Sequence, residues 1–119
     1  MYDYNAKVVA VIDGDTVTLD IDLGFGVRRI DKFRLYGPDV DARDGMNAPE
    51  MNTPEGKAAR QFLFDLVGES PIVTVKTVKD RREKFGRYLA VLFTSGIDGR
   101  PTNVNQMMID AGHAKLQRY

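Results

Sequence analysis

Few backbones can carry a carboxylate on the apolar side of a β hairpin, and Val11-Ile12-Asp13-Gly14-Asp15-Thr16-Val17-Thr18-Leu19 calls for one of them. Asp13-Gly14 is a dipeptide suited to a two-residue hairpin turn, because glycine accepts positive φ without steric cost and aspartate tolerates it. Beyond the turn, side chains alternate between faces. Asp15 therefore falls with Val17, Leu19 and Ile21, while Thr16, Thr18 and Asp20 point the other way. A carboxylate on the core side without a partner loses several kcal/mol of solvation or shifts its pKa, so a cation or several donors are expected at this corner. For Asp13 the turn itself is the better explanation.

The rest of the chain supplies more strands than helices. Residues 6–12 and 15–22 read as the opening hairpin, and Leu23-Gly24-Phe25-Gly26 marks a second turn. A third strand is expected over about 27–37, with Phe33 and Leu35 on one face and Ile30, Lys32, Arg34 and Tyr36 on the other. Periodicity then stops for about fifteen residues, a length that compact domains seldom keep without purpose. Thr53 as N-cap, Pro54 at the first helical position and Glu55 in the first turn open a helix. Its stripe is Ala58, Ala59, Phe62, Leu63, Leu66 and Val67, and Gly68 stops it. Strands follow over 71–78 and 86–93, the first rich in β-branched residues and the second almost continuously apolar. Asn103 caps a last short helix, with Gln106 three residues on and Gly112 at its end. Three strands, a helix, two strands and a helix describe an α+β, mainly β chain. The pattern is that of a five-stranded Greek-key OB barrel with a helix after strand 3 and another after strand 5.

Size and charge narrow the options. The chain has 119 residues, enough for one domain and not two. Acids and bases balance at 17 each, so any attraction for a polyanion must be local. Residues 1–55 carry 11 acids against 6 bases, whereas Lys76 to Arg87 carries 6 bases against 2 acids. The charge is thus segregated along the chain. With no cysteine and one histidine, His113, thiol chemistry and a multi-histidine zinc site are excluded, and a metal here would be a hard cation on oxygen ligands. No apolar stretch reaches membrane-spanning length, so no membrane association is expected. The N-terminus lacks the basic start and apolar run of a signal peptide, which suits a cytoplasmic protein or one exported after processing. Nothing signals oligomerisation, and a monomer is expected.

Several short motifs occur in an order that resembles the staphylococcal (micrococcal) nuclease family. They are Asp13-Gly14-Asp15-Thr16, Phe33-Arg34-Leu35-Tyr36-Gly37, Asn47-Ala48-Pro49-Glu50, Gly56-Lys57-Ala58-Ala59, Lys84-Phe85-Gly86-Arg87, and Asn105 followed by Ala111-Gly112. The resemblance spans nearly the whole chain and implies a calcium-dependent endonuclease that hydrolyses phosphodiester bonds of DNA or RNA, leaving 3′-phosphate ends. It implies one Ca²⁺ on Asp15, Asn47 and the Ala48 carbonyl, water activation by Glu50, and phosphate held by the planar forks of Arg34 and Arg87. Lys84, Phe85, Tyr88 and Tyr36 would then lie along a nucleic-acid groove, where the aromatic rings could stack on bases. Without the resemblance, Arg34 is as readily half of a surface salt bridge with Asp31 or Asp20, and the basic 76–84 segment is a solvated loop.

Two departures from the family pattern bear on function. Relatives usually have aspartate where Asn47 stands, so weaker calcium binding is expected. This chain also carries an inserted acidic loop at about 38–46, between the third strand and Asn47. Asp39, Asp41 and Asp44 are possible extra acidic ligands there, as is Asp13 at the corner. Val40-Asp41-Ala42-Arg43-Asp44 offers a competing alignment to Asn47-Ala48-Pro49-Glu50, although only the latter keeps Pro-Glu at the usual distance from the helix. Asp39, Asp41 and Asp44-Gly45 also outline a calcium loop, but Arg43 occupies a position where an oxygen ligand belongs. The alternative to a nuclease is a catalytically impaired OB-fold module that binds single-stranded nucleic acid or a protein partner.

Overall fold

The computed structural model describes residues 2–37, 44–68, 72–82, 88–95 and 101–118. In chain order the elements are β1 (Tyr2–Asp13), β2 (Thr16–Gly24), β3 (Val27–Leu35), β4 (Asp44–Asn47), α1 (Pro54–Gly68), β5 (Val73–Arg82), β6 (Tyr88–Ser95), β7 (Pro101–Asn103), α2 (Val104–Asp110) and β8 (Lys115–Arg118). Neighbours in the main sheet run β3-β2-β1-β5-β6-β7, all antiparallel. Parallel pairing of β3 with β6, from Phe33↔Tyr88 to Leu35↔Ala90, closes the first five of these into a barrel. The result is a closed, mixed five-stranded barrel with two helices, as the strand and helix order in the sequence implies.

Alternation fills the interior. Val17, Leu19 and Ile21 of β2, Phe33 and Leu35 of β3, Val73 and Val75 of β5 and Ala90 and Leu92 of β6 are all buried. Ala59, Leu63 and Val67 of α1 pack into the same core, while Ala58 of the expected stripe is exposed. Both helix caps form. The Thr53 hydroxyl accepts from the Gly56 N–H at 3.0 Å, and Oδ1 of Asn103 accepts from the Gln106 N–H at 3.0 Å. The side-chain amide of Gln106 donates to Asp110. In α2 the buried face is Val104, Asn105 and Met108, with Met107 and Ala111 exposed.

Three departures from the local reading share one cause. Asp44–Asn47, expected within a loop, is strand β4, and it pairs antiparallel with β8, beyond the last helix. Neither strand carries a β pattern of its own, since each exists through a partner about seventy residues away in the chain. Strand β5 continues to Arg82 through what reads as a basic loop, and β7 adds three residues to the edge of β6. Residues 96–100 and most of the inserted loop, residues 38–43, lie outside the described residues.

Asn105 ties the barrel to α2. Its side chain is fully buried; the amide nitrogen donates to the Tyr36 carbonyl at 2.7 Å and the Ala90 carbonyl at 3.0 Å, and its oxygen accepts from the Leu92 N–H at 3.1 Å. One side chain thereby satisfies backbone groups of β6 and of the segment that leaves β3. Removing it strands buried polar groups, each costing about 1–3 kcal/mol. Asn105→Ala is expected to lower unfolding free energy by about 3 kcal/mol in urea denaturation, and Asn105→Asp, which replaces donors with acceptors facing two carbonyls, by at least as much.

Candidate active site

Gly14 sets the corner between β1 and β2 so tightly that a Cβ there would lie 2.6 Å from the Ala48 Cβ and 2.9 Å from the Ala59 Cβ. The turn is therefore pressed against both the segment after β4 and helix α1. This contact delivers Asp15 to Ala48. The Asp15 carboxylate is 6% exposed, and its Oδ2 accepts from the Ala48 N–H at 3.0 Å. Its Oδ1 accepts from the Thr16 hydroxyl at 3.1 Å, and its own N–H donates to Oδ1 of Asp13 at 3.0 Å, the turn contact expected of Asp13.

The cation at this corner is Arg34. Its Nη2 lies 3.2 Å from Oδ2 of Asp15, donates to Oδ1 of Asn47, and donates to the Met46 carbonyl at 3.2 Å. The surface salt bridges open to Arg34 on the sequence alone go to other arginines, with Asp20 bound to Arg28 at 2.9 Å and Asp31 to Arg29 at 3.0 Å. Three segments that are distant in sequence thus meet at one guanidinium nitrogen.

Even so, the Asp15 carboxyl is pushed up from the ordinary value of 3.8 to about 6. Burial is the main cause, followed by hydrogen bonding to Asp13; the Ala48 N–H then lowers it, the Asp13 charge raises it, and the Arg34 charge lowers it. One arginine does not offset what burial removes, so the corner has room for further positive charge. The Asp15 and Asn47 oxygens already face a common point, now held by Nη2. A carboxylate, an amide oxygen and nearby backbone carbonyls form an all-oxygen donor set, which fits a hard divalent cation. The set carries little charge. Among the described residues no three of His, Cys, Asp and Glu cluster as a metal site, so a cation here would keep much of its water.

Glu50 sits where the chain enters α1. Its side chain is exposed, while its carbonyl accepts from the Thr53 N–H at 3.1 Å and the Thr53 hydroxyl at 2.7 Å. A Cβ on Gly56 would fall 1.8 Å from that carbonyl oxygen. Only glycine lets the Glu50 backbone lie so close to the helix, a constraint that the sequence reading took for a helix-start motif alone. Fixed backbone and free carboxylate suit a residue that must meet a small molecule.

The remaining expected residues divide. Arg87, Lys84, Phe85, Asp39 and Asp41 lie outside the described residues, and Asp44 pairs through its backbone with Arg118 in β4–β8. Tyr88 is half-buried, its ring 6.0 Å from Phe33 and 5.5 Å from the Arg29 guanidinium. Tyr36 is a correction. Placed by alternation beside Arg34 as a base-stacking ring, it is fully buried with Leu89, Val91 and Phe93 in a second apolar cluster. Alternation still holds, with Tyr36 on the face opposite Leu35 beside Leu89 and Val91 of β6, but that face is covered here and not open to solvent. Missed altogether was a cleft of about 420 Å³ between residues 47–49 and 112–116. Its walls come together only through the β4–β8 pairing, so no local motif marks it.

Residues 32–119 match the family model described as staphylococcal nuclease homologue. The chain belongs to that family. It is 32% identical to a micrococcal nuclease of Shigella flexneri over 98% of this chain and 60% of that protein. It is 26% identical to an uncharacterized protein of Methanocaldococcus jannaschii, over 95% of this chain and 59% of the relative. It is also 26% identical to endonuclease YhcR of Bacillus subtilis, over 94% of this chain but 9% of the endonuclease. The chain therefore spans about 60% of the first two relatives. In this family member the described helices include none long and apolar enough to cross a membrane.

The raised Asp15 pKa has a measurable consequence. A folded state that holds the proton more tightly than the unfolded chain loses stability as that proton leaves. The cost is absent below about pH 4, grows toward pH 6 and is complete above it, reaching about 2–3 kcal/mol. Asp15→Asn keeps an acceptor for Ala48 and removes the charge. In chelator it is expected to be more stable than wild type at pH 8 by about 1–2 kcal/mol, and to show no gain at pH 4, as read by urea unfolding at both pH values.

Proposed function

We propose that this chain is a metal-dependent nuclease that hydrolyses phosphodiester bonds of DNA or RNA. The observation that carries the reading is the convergence of Asp15, Asn47 and Arg34 beside the Ala48–Glu50 segment. Phosphodiester hydrolysis needs positive charge on a phosphate oxygen, donors for the charge that grows during attack, and an acceptor for the proton of water. Asp15, Asn47 and the Ala48 carbonyl would hold the divalent cation, taken here as one Ca²⁺, which when bound withdraws charge from a phosphate oxygen. Glu50 takes a proton from water as the water oxygen bonds to phosphorus. The bond from phosphorus to the 5′ oxygen breaks, and that oxygen takes up a proton from solvent, leaving a 3′-phosphate and a 5′-hydroxyl. Arg34 would grip the phosphate as a planar fork, and the family resemblance assigns Arg87 the same task.

The first test is digestion of denatured DNA with Ca²⁺ and with excess chelator, beside a Glu50→Gln variant. Wild type is expected to cut only with the cation, and Glu50→Gln to lose about 100-fold or more in kcat. Cutting that persists in chelator would remove the metal from the reading. One observation favours a second reading, a nucleic-acid-binding module without hydrolysis: the cluster has a single buried carboxylate, with an amide at Asn47. No cutting by wild type under any divalent cation, with retained binding of single strands, would establish it.

Asn47 gives an independent check. Restoring a carboxylate adds a full negative charge to the proposed ligand set and a second partner for Arg34. Asn47→Asp is expected to tighten Ca²⁺ binding at least ten-fold by calorimetry, equivalent to about 1.4 kcal/mol. Unchanged affinity would remove Asn47 from the ligand set.

A further inference from the structure

Asn47 and Ala48 apart, the cleft between residues 47–49 and 112–116 is lined by residues that have no part in the catalytic cluster. Its volume of about 420 Å³ falls in the range of sites that hold small organic ligands, about 300–1,000 Å³. One wall begins at Asn47, which also accepts from Arg34, so the cleft adjoins the proposed phosphate position through a shared residue. The other wall contains His113 and Lys115, and no acid is among the lining residues. In the β4–β8 pair Lys115 is the direct backbone partner of Asn47, which places this lysine at the edge of the cleft nearest the site.

His113 is held, not merely trailing from the helix. Its N–H donates to the Met108 carbonyl at 2.9 Å, the Ala114 N–H donates to the same oxygen at 3.2 Å, and Gly112 turns the chain with φ at 78°. The imidazole lies against Phe62 of α1, ring centroids 4.6 Å apart and tilted by 37°. A flat ring braced from behind, next to a lysine, suits a nucleobase and its phosphate, since histidine both stacks on bases and hydrogen-bonds to their edges.

We propose that this cleft is a nucleotide subsite, taking the base and sugar of the nucleotide adjoining the scissile phosphate, with His113 against the base and Lys115 on the flanking phosphate. The inference rests on the nuclease reading, which supplies the strand. It makes His113 and Lys115 binding residues, with no part in proton transfer or metal binding.

The chain has one histidine, so its imidazole protons give a single assignable set of NMR signals. The full chain is titrated with 2′-deoxyadenosine 5′-monophosphate and, separately, with inorganic phosphate. The nucleotide is expected to move the His113 signals along a saturable isotherm, and inorganic phosphate to leave them in place. Lys115→Ala, at an exposed position, is expected to weaken nucleotide binding about five- to ten-fold, and His113→Gln to do the same. In digestion both variants should raise KM by a similar factor with a much smaller change in kcat. Nucleotide shifts at Arg34 with His113 unmoved would overturn the subsite and leave the nuclease reading intact. Equal responses to inorganic phosphate and nucleotide would reduce the cleft to an anion site and overturn the base contact. No cutting by wild type under any divalent cation would instead count against the nuclease reading itself, whatever His113 does.

Discussion

The buried carboxylate of Asp15 is the point on which this structure turns. It is unfavourable in isolation, as its raised pKa records, and it is kept in place by contacts from three directions. The Gly14 corner allows the approach, the Ala48 N–H meets one oxygen, and Arg34 reaches across from the neighbouring strand. A fold selected for stability alone would be better served by an apolar residue there, because a buried ion pair seldom recovers its full desolvation cost. The corner is intelligible as a place that accepts more positive charge than Arg34 alone supplies.

The same cluster accounts for the positions of its neighbours. Because Ala48 must sit on Gly14 and the Asp15 carboxylate, the chain after β4 has little freedom in how it enters α1. The Thr53 cap and the absent side chain of Gly56 then fix the Glu50 backbone against the first helical turn. The exposed Glu50 carboxylate thus projects from a rigid base. Under the proposed function, a rigid backbone beneath Glu50 lowers the reorganisation needed when substrate arrives. Asn105 works at the other side of the barrel, holding β6 and the exit of β3 in register, and so supports Arg34 at one remove.

Under the proposed function Arg34 exchanges between two partners, the oxygens of its own cluster and a bound phosphate. In this structure Nη2 is engaged by Asp15, Asn47 and the Met46 carbonyl. Under the proposed function the two states exchange one positive charge for another at the same oxygens, so cation binding and phosphate recognition are linked through a single side chain. The cleft behind Asn47 extends this arrangement along the strand, since the residue that faces Arg34 on one side lines the subsite on the other.

Much of this was legible in the sequence, because the signals involved are local. Alternation placed Asp15 on the core face with Val17, Leu19 and Ile21, Thr53-Pro54 and Gly68 bounded α1, and Asn103 capped α2. A carboxylate on an apolar face requires a cation, and that requirement holds before any partner is known. The partner's identity was a different matter. That Arg34 reaches Asp15 while Asp20 and Asp31 take other arginines depends on strand register and on where the segment after β4 lies. Tyr36 is buried because its face of the sheet, shared with Leu89 and Val91, is itself covered, and β4, β8 and the cleft beside them arise from pairing of segments about seventy residues apart. Sequence thus determined which residues could not stand alone, since propensity and solvation act on neighbours. Tertiary structure decided which distant groups would satisfy them, since only chain closure brings those groups within reach.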